Sequence, residues 1–149
     1  MQDDLFGITA KPPTSPKMFS VQEVTKGLAA EVYKANHYFG DKGFLHMYSF
    51  GAGFDSFCWG AITYGIPNAR NINGLYKSDE QNGVLEITRL AFRDGSPRNS
   101  PSRLISQSIK LLQQRYPLRL IITYADTAQG HTGAIYKASN FTYHGLTAQ

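Results

Sequence analysis

The chain has 149 residues, the usual size of one domain, and can bury a core without disulfides or a structural metal. At 42% hydrophobic residues it is too apolar to be disordered, although residues 1–19 are polar and proline-bearing and predict a flexible tail before a domain at 20–149. No apolar run approaches the roughly 20 residues that cross a bilayer, and no signal-peptide pattern opens the chain. We therefore expect a soluble, cytoplasmic protein without a membrane partner. Its one cysteine, Cys58, lies in the run FCWG, which favours a buried thiol over a nucleophile.

Positive charge is concentrated in the second half of the chain. The formal net charge is +4, and residues 89–119 hold seven basic residues against one acidic residue, Asp94. Such a segment suits the phosphates of a cofactor or the backbone of a nucleic acid. A solvated surface is the plain alternative, and composition alone does not separate the two.

The first half predicts a helix followed by two strands. Ser20 and Glu23 have capping-box spacing, and a stripe of apolar residues after them predicts a helix that ends near His37. The segments GFLHMYSFG (43–51) and SFCWGAITYG (56–65) predict two antiparallel strands. Residues 66–83 are polar and glycine-rich and predict a long loop, either facing a substrate or lying plainly on the surface.

The second half alternates strands and helices. GVLEITRLAF (83–92) predicts a strand with Leu85, Ile87, Arg89 and Ala91 on one face. We expect Ser100 to cap a helix that ends before Pro117, then a strand at 118–126, a short helix at 130–140 and a last strand at 141–145. Strand, helix and strand in succession imply parallel neighbours. The fold class is therefore α/β (α+β), a mixed central sheet with flanking helices in a single domain.

The start of the helix after Pro101 is a candidate anion site. A strand that leads into a helix N-terminus aims backbone amides and a positive helix end at whatever lies beyond it. Ser102 lies in the first turn, and Arg98 and Arg103 are placed to add charge-assisted hydrogen bonds. The alternative for Ser102 is an ordinary residue of a helix start.

Four more positions are candidates for chemistry. Arg89 lies in the middle of an apolar strand, where its guanidinium needs an anion: a structural partner such as Glu86 or Asp126, or a phosphate or carboxylate of a ligand. Asp126 follows a strand, where ligands collect in open sheets, or it caps a turn. Tyr136 is either a proton donor in the same crevice or core packing. His37 and Tyr38 offer a pair of metal ligands or an acid/base pair, or simply end a helix.

Several separated motifs resemble one family. Residues 83–145 resemble the cofactor-binding half of the GNAT acyltransferase superfamily, with LEITRLAF as the splayed central strand. HYFG, ITYGIP, ITRLAF, SPSRLI and ADTAQGHTGAIYKASNFTYHG resemble, in that order, the Mom family of phage DNA adenine-modification proteins. Two departures are SPRNSPSRL, which lacks the glycines of the usual GNAT loop, and Asn140, which stands where many relatives have glycine.

The resemblance implies a phage-encoded enzyme of the bacterial cytoplasm that puts a carbamoylmethyl group on adenine in double-stranded DNA and protects phage DNA from restriction. It implies that Arg89, Ser102 and Tyr136 handle the cofactor or substrate, and that His37, Tyr38 and Asp126 take part in the chemistry or bind a metal. The donor is expected to be acetyl-CoA or another acyl or aminoacyl donor. Because the adenine amine is a poor nucleophile, iron at His37, Tyr38 and Asp126 is a further hypothesis.

Reaching that amine in duplex DNA requires base flipping, and one of four aromatic residues, Tyr48, Phe50, Phe54 or Trp59, is expected either to stack on the base or to lie in the core. A specific duplex interface is large for so small a domain, so weak selectivity or a homodimer follows. Two alternatives stay open: an ordinary GNAT acyltransferase that acts on a small amine or a protein, and an inactive GNAT-like binding module.

Overall fold

The computed structural model describes residues 11–36, 40, 46–67 and 83–123. Five strands form one sheet in chain order: β1 (Ser20–Val24), β2 (Tyr48–Phe54), β3 (Phe57–Gly65), β4 (Val84–Phe92) and β5 (Leu120–Ile122). Strands β1 to β4 are antiparallel to their neighbours, whereas β5 runs parallel to β4. The predicted mixed sheet and its parallel strand-helix-strand unit are therefore confirmed.

Two helices cover opposite sides of this sheet. Helix α1 (Lys26–Asn36) buries Ala29, Val32 and Tyr33 against Ala61 of β3 and Ala91 of β4. Helix α2 (Ser100–Gln113) packs on the other side, where its buried residues join the larger apolar cluster of the described chain: Phe19, Phe50, Trp59, Ile62, Tyr64, Leu85, Ile87, Leu104, Ile105 and Leu112. We refer to these sides as the α1 face and the α2 face. Within the described ranges, no helix has the length and apolar character of a membrane span.

The prediction of a helix from Ser20 is wrong at its start. Residues Ser20–Val24 form the edge strand β1, which pairs with β2 from Ser20 opposite Gly53 to Val24 opposite Ser49. The helix begins five residues later, and Thr25 caps it, since its Oγ1 accepts a hydrogen bond from the amide of Leu28 at 3.1 Å. Ser20 and Glu23 therefore do not form a capping box, because pairing with β2 satisfies the backbone of this segment, and the cap is Thr25 instead.

Strands β2, β3 and β4 and helix α2 lie close to their predicted places. Helix α2 ends before Pro117, and Leu104, Ile105 and Leu112 are buried as its stripe predicts. Its N-cap is Asn99, one residue before the predicted Ser100, with a φ of 71° and no capping hydrogen bond from its side chain. The predicted helix at 130–140 and strand at 141–145 lie outside the described residues.

A β-bulge at Thr88 puts the side chains that follow it in β4 on the opposite face of the sheet from the one that regular alternation predicts. Tyr64 pairs with Ile87 while the preceding residue, Thr63, pairs with Arg89, so that Thr88 is an extra residue on β4. Leu85 and Ile87 belong to the cluster on the α2 face, whereas Arg89 lies opposite Thr63 on the α1 face. The prediction that Leu85, Ile87, Arg89 and Ala91 share one face is therefore wrong, because regular alternation is interrupted at the bulge.

Candidate active site

The end of the parallel pairing between β4 and β5 positions the candidate site. In the described chain, β5 pairs with β4 from Val84 opposite Leu120 to Glu86 opposite Ile122. Strand β4 then continues to Phe92, six residues beyond that last pair. Ligands of open sheets bind beyond the carboxyl ends of parallel strands, and Arg89 lies on this extension of β4.

Arg89 is buried, with 6% of its surface exposed. Its guanidinium donates a hydrogen bond through Nη1 to the backbone carbonyl of Gly40, in the segment after α1. No ion pair joins it to Glu86, although both residues are described. The interpretation of Glu86 as its structural partner is therefore wrong, and Asp126, the other predicted partner, lies outside the described residues.

A chain of buried hydroxyl groups fixes the backbone at Arg89. The hydroxyls of Tyr33 and Thr63 are 2.7 Å apart, and those of Thr63 and Ser49 are 2.8 Å apart. The Tyr33 hydroxyl also donates a long hydrogen bond, at 3.5 Å, to the Arg89 carbonyl. Burial raises the pKa of Tyr33 well above its usual range, so the phenol keeps its proton. This chain links α1, β2 and β3 to the residue that follows the bulge.

Glu86 is the second ionisable residue of β4, and the sequence did not single it out as a site residue. Its side chain is half-buried, and burial raises the pKa of its carboxyl group. Because it lies between Leu85 and Ile87 on a regular part of the strand, it points to the α1 face, the face that also carries Arg89. The bulge is what places the two charged residues on one face, and a bulge depends on the neighbouring strand, so no local pattern of β4 reveals it.

The start of α2 has the features of the predicted anion site. Arg98 is exposed in the preceding loop, and Ser102 and Arg103 are half-buried in the first turn. That turn contains no acidic residue, and the buried Nε of Arg103 has no hydrogen-bond partner in the part of the chain that the structure describes. An anion bound here would supply the acceptor that the side chain of Asn99 does not supply. Helix α2 itself packs on the face opposite Arg89.

The remaining predicted residues cannot be placed. His37, Tyr38, Asp126 and Tyr136 lie outside the described residues, and their roles stay predictions. Among the residues that are described, no group of three or more His, Cys, Asp or Glu side chains is arranged to hold a metal ion. The predicted iron ligands are not part of that set, so the iron hypothesis stays a prediction as well.

The aromatic candidates for base stacking divide into two pairs. Phe50 and Trp59 are each 1% exposed and belong to the core, which is the plain alternative for them. Tyr48 and Phe54 are half-buried at the two ends of β2. Of the four residues, these two have exposed ring surface on which a flipped base could stack.

Cys58 lines a groove of about 410 Å³ on the α1 face, next to the hairpin that joins β2 and β3. Its thiol donates a hydrogen bond to the Gly60 carbonyl at 3.3 Å, and burial raises the pKa of the thiol. A thiol with a raised pKa is a poor nucleophile at neutral pH. This agrees with the prediction of a structural cysteine.

Comparisons with known proteins identify the family. A sequence model of the Mom protein family matches residues 18–149. The chain belongs to the Mom protein family. It is also 30% identical over 134 residues to a protein named methylcarbamoylase mom from Escherichia phage Mu, a match that covers 87% of this chain and 54% of that protein. This Mom-family chain therefore spans about half the length of the curated relative that it matches.

Solved structures show the fold. An aminoglycoside acetyltransferase, meta-AAC0020, from an uncultured soil metagenomic sample matches with a TM-score of 0.65 at 10% identity, over 89% of this chain and 94% of that one. A ribosomal-protein-alanine N-acetyltransferase from Brucella melitensis biovar Abortus 2308 matches with a TM-score of 0.56 at 9% identity, over 88% and 98%. The Mom-family chain thus has the GNAT acetyltransferase fold that the sequence predicted.

Proposed function

We propose that this Mom-family chain is a transferase that adds a carbamoylmethyl group to the exocyclic amine of adenine in duplex DNA. The observation that carries the proposal is the family match over residues 18–149, together with the named relative from phage Mu. The GNAT fold supports a transfer reaction from an activated donor to an amine. Protection of phage DNA from restriction, in the cytoplasm of the bacterial host, is the biological role that follows.

The donor is proposed to bind between the extension of β4 and the start of α2. One basic residue in this region is held by the protein, since the Arg93 Nε donates a hydrogen bond to the Cys58 carbonyl at 2.9 Å. Arg98 and Arg103, before and within the first turn of α2, are the residues that we assign to the phosphate groups of a donor such as acyl-CoA. Buried Arg89 would orient the reacting end of the donor by charge-assisted hydrogen bonding.

The acceptor adenine has to leave the base stack before its amine can react. Base flipping costs a few kcal/mol, and aromatic contact with the extruded base recovers part of that cost. Tyr48 and Phe54 are the described aromatic residues that we propose for this contact. The iron that was predicted at His37, Tyr38 and Asp126 enters no step here, since those residues lie outside the described chain.

Nucleoside mass spectrometry of plasmid DNA tests the proposal. Bacteria that express the full chain should contain a deoxyadenosine carrying the carbamoylmethyl group, and bacteria with the empty vector should not. Arg89→Lys keeps the charge but loses the forked geometry of the guanidinium, and we expect it to lower the yield about tenfold to a hundredfold, the value of a charged hydrogen bond. Arg119→Lys, the same change at an exposed arginine to which the proposal gives no role, is the matched control and should match the wild type.

Unmodified deoxyadenosine in cells that accumulate folded protein would contradict the proposal. The second candidate is then an ordinary N-acyltransferase, which the fold shared with an aminoglycoside acetyltransferase favours. That candidate predicts that the purified protein consumes acetyl-CoA in the presence of a small amine and leaves DNA unchanged. If neither DNA nor a small amine is modified, the inactive binding module remains.

A further inference from the structure

Strand β1 has one long side that meets no other strand in the described part of the chain. On its inner side it pairs with β2 in regular register, from Ser20 opposite Gly53 to Val24 opposite Ser49. An edge strand offers its outward amides and carbonyls to any strand that approaches it. Proteins commonly block such an edge with a lysine, a proline or a bulge, and β1 has none of these. Strand β1 is therefore an edge that is open to pairing.

The side chains of β1 do not oppose a second strand either. Glu23 is the one charged residue of β1, and it forms an ion pair with Arg115 of the same molecule. The exposed residues Ser20 and Gln22 are uncharged. The two valines of β1 are β-branched, which suits a strand that has neighbours on both sides. No side chain of β1 therefore repels an approaching strand.

Apolar surface lies at both ends of the same strand. Strand β1 borders the groove of about 410 Å³ on the α1 face through Ser20, Gln22 and Val24, because α1 packs mainly over β3 and β4. Met18, just before β1, is 49% exposed, and Leu28, just after it, is 38% exposed. Both line the groove, and they are two of the three large apolar side chains that are exposed in the described chain. Apolar surface gathered in this way indicates a region that a partner covers.

The two ends of β1 are complementary to each other. Met18 and the exposed Asp55, in the turn between β2 and β3, lie at the end where β1 begins. Leu28 and the exposed Lys26, the first residue of α1, follow the end where β1 stops. If two copies of β1 run antiparallel, each beginning lies beside the other copy's end, so that Met18 meets Leu28. Asp55 then lies about 10 Å, or two strand spacings, from Lys26 of the other copy, a gap that a lysine side chain spans.

We propose that β1 pairs antiparallel with β1 of a second copy of this chain, so that the sheets of the two molecules become continuous. The two-fold axis passes through Gln22, which lies opposite Gln22 of the other copy, while Ser20 lies opposite Val24. A two-fold contact of this kind is closed, so association stops at the dimer. Arg89, on β4, is three strands away, and the candidate site of each copy stays open. The pairing is independent of the proposed reaction.

Analytical ultracentrifugation of the full chain tests this pairing. The wild type should sediment as a dimer at micromolar concentration. Gln22→Lys puts two like charges directly opposite each other at the two-fold axis, and we expect it to raise the dimer Kd about fivefold or more. Gln113→Lys, the same change at an exposed glutamine of α2, is the matched control and should leave the Kd unchanged. Far-UV circular dichroism should show that both variants are folded.

A cysteine at the two-fold axis reports the register of the pairing. Opposite residues of an antiparallel pair have Cα atoms about 4.5–5.5 Å apart, a separation that a disulfide spans. In a Cys58→Ser background, which removes the native thiol, Gln22→Cys should therefore form a covalent dimer on mild oxidation. Ser20→Cys should not, because four residues of offset put the two Ser20 positions about 14 Å apart along the paired strands. Non-reducing gel electrophoresis separates the two results.

A second copy is confirmed as the partner of β1 if Gln22→Lys weakens the dimer and if Gln22→Cys, but not Ser20→Cys, crosslinks it. A wild type that stays monomeric throughout the micromolar range contradicts the proposal. A dimer that Gln22→Lys leaves unchanged, or one that crosslinks through Ser20→Cys, contradicts it as well, because the contact then lies elsewhere or in another register. A monomer whose β1 amides are all protected from hydrogen exchange would show that a different segment covers this edge, and it too would overturn the pairing.

Discussion

The two faces of the sheet are made by the same strands but have different chemistry. The α2 face carries an almost wholly apolar core, in which one polar pair, Tyr64 and Ser108, lies with its hydroxyls 2.7 Å apart. The α1 face combines small side chains, such as Ala61 and Ala91, with the buried hydroxyl chain and with both charged residues of β4. The helix on this face packs closely because its neighbours are alanines.

This difference assigns different tasks to the two faces. Buried polar and charged groups cost free energy unless they are fully bonded, so a fold that only needed stability would keep them out of both faces. Apolar burial on the α2 face supplies stability and offsets the cost of Arg89 and Glu86 on the other face. We therefore expect mutations on the α2 face to change stability first, and mutations on the α1 face to change activity first.

The largest expected effect is on the α2 face. Leu104 is fully buried there, and Leu104→Ala should lower the free energy of unfolding by about 2–5 kcal/mol through lost burial and a cavity. Denaturant unfolding measures this loss, and nucleoside mass spectrometry measures the activity of the protein that remains folded. Activity per folded molecule should be preserved. If Leu104→Ala stays folded but has a much lower activity per folded molecule than the wild type, this division of tasks between the faces is contradicted.

The sequence predicts most of the α2 face and much less of the α1 face. The stripe of α2 and the aromatic character of β2 and β3 are local patterns, and they correctly indicate a helix packed on a mixed sheet. The edge strand β1 was missed because its residues also fit a helix start, and only the presence of β2 decides between the two. The bulge at Thr88 is equally non-local, since it exists only relative to Thr63 and Tyr64 of β3.

The candidate site shows the same limit. Arg89, Ser102 and Arg103 could be chosen from sequence because a buried arginine and a helix start are recognisable locally. That Glu86 shares a face with Arg89 could not be predicted, because it depends on the bulge between them. The sequence does hold one signal that could have pointed to Glu86: two charged residues, three positions apart, in an otherwise apolar strand.

Two buried tyrosines, one on each face, allow the faces to be compared directly. Tyr33 and Tyr64 are both fully buried, and each has a hydroxyl bond of 2.7 Å, to Thr63 on the α1 face and to Ser108 on the α2 face. Replacing either with phenylalanine leaves a buried partner hydroxyl to be satisfied, so each should cost about 1–3 kcal/mol of stability. Thermal unfolding of the two variants checks whether the costs are similar.

Only Tyr33→Phe should change the reaction. It removes the hydrogen bond to the Arg89 carbonyl, and a small shift of Arg89 should lower the rate of DNA modification by several-fold, with Tyr64→Phe close to the wild type. Thr63→Val, which removes the next hydroxyl in the chain, should act in the same direction as Tyr33→Phe. Equal activity losses at Tyr33 and Tyr64 would mean that the rate follows stability and that the hydroxyl chain positions nothing.

The smallest expected effect comes from removing an exposed ion pair, which tests whether a polar contact outside the two faces also affects the reaction. Glu23 and Arg115 form an ion pair that joins β1 to the segment after α2, with side chains 41% and 53% exposed. An exposed pair of this kind contributes at most about 1 kcal/mol, and added salt screens it, so Glu23→Gln should lower Tm slightly at low salt and not at all at high salt. Its rate of DNA modification should equal that of the wild type at both salt concentrations. A reduced rate at low salt alone would show that this edge takes part in binding DNA, and the active surface would then extend from the α1 face around the rim of the sheet.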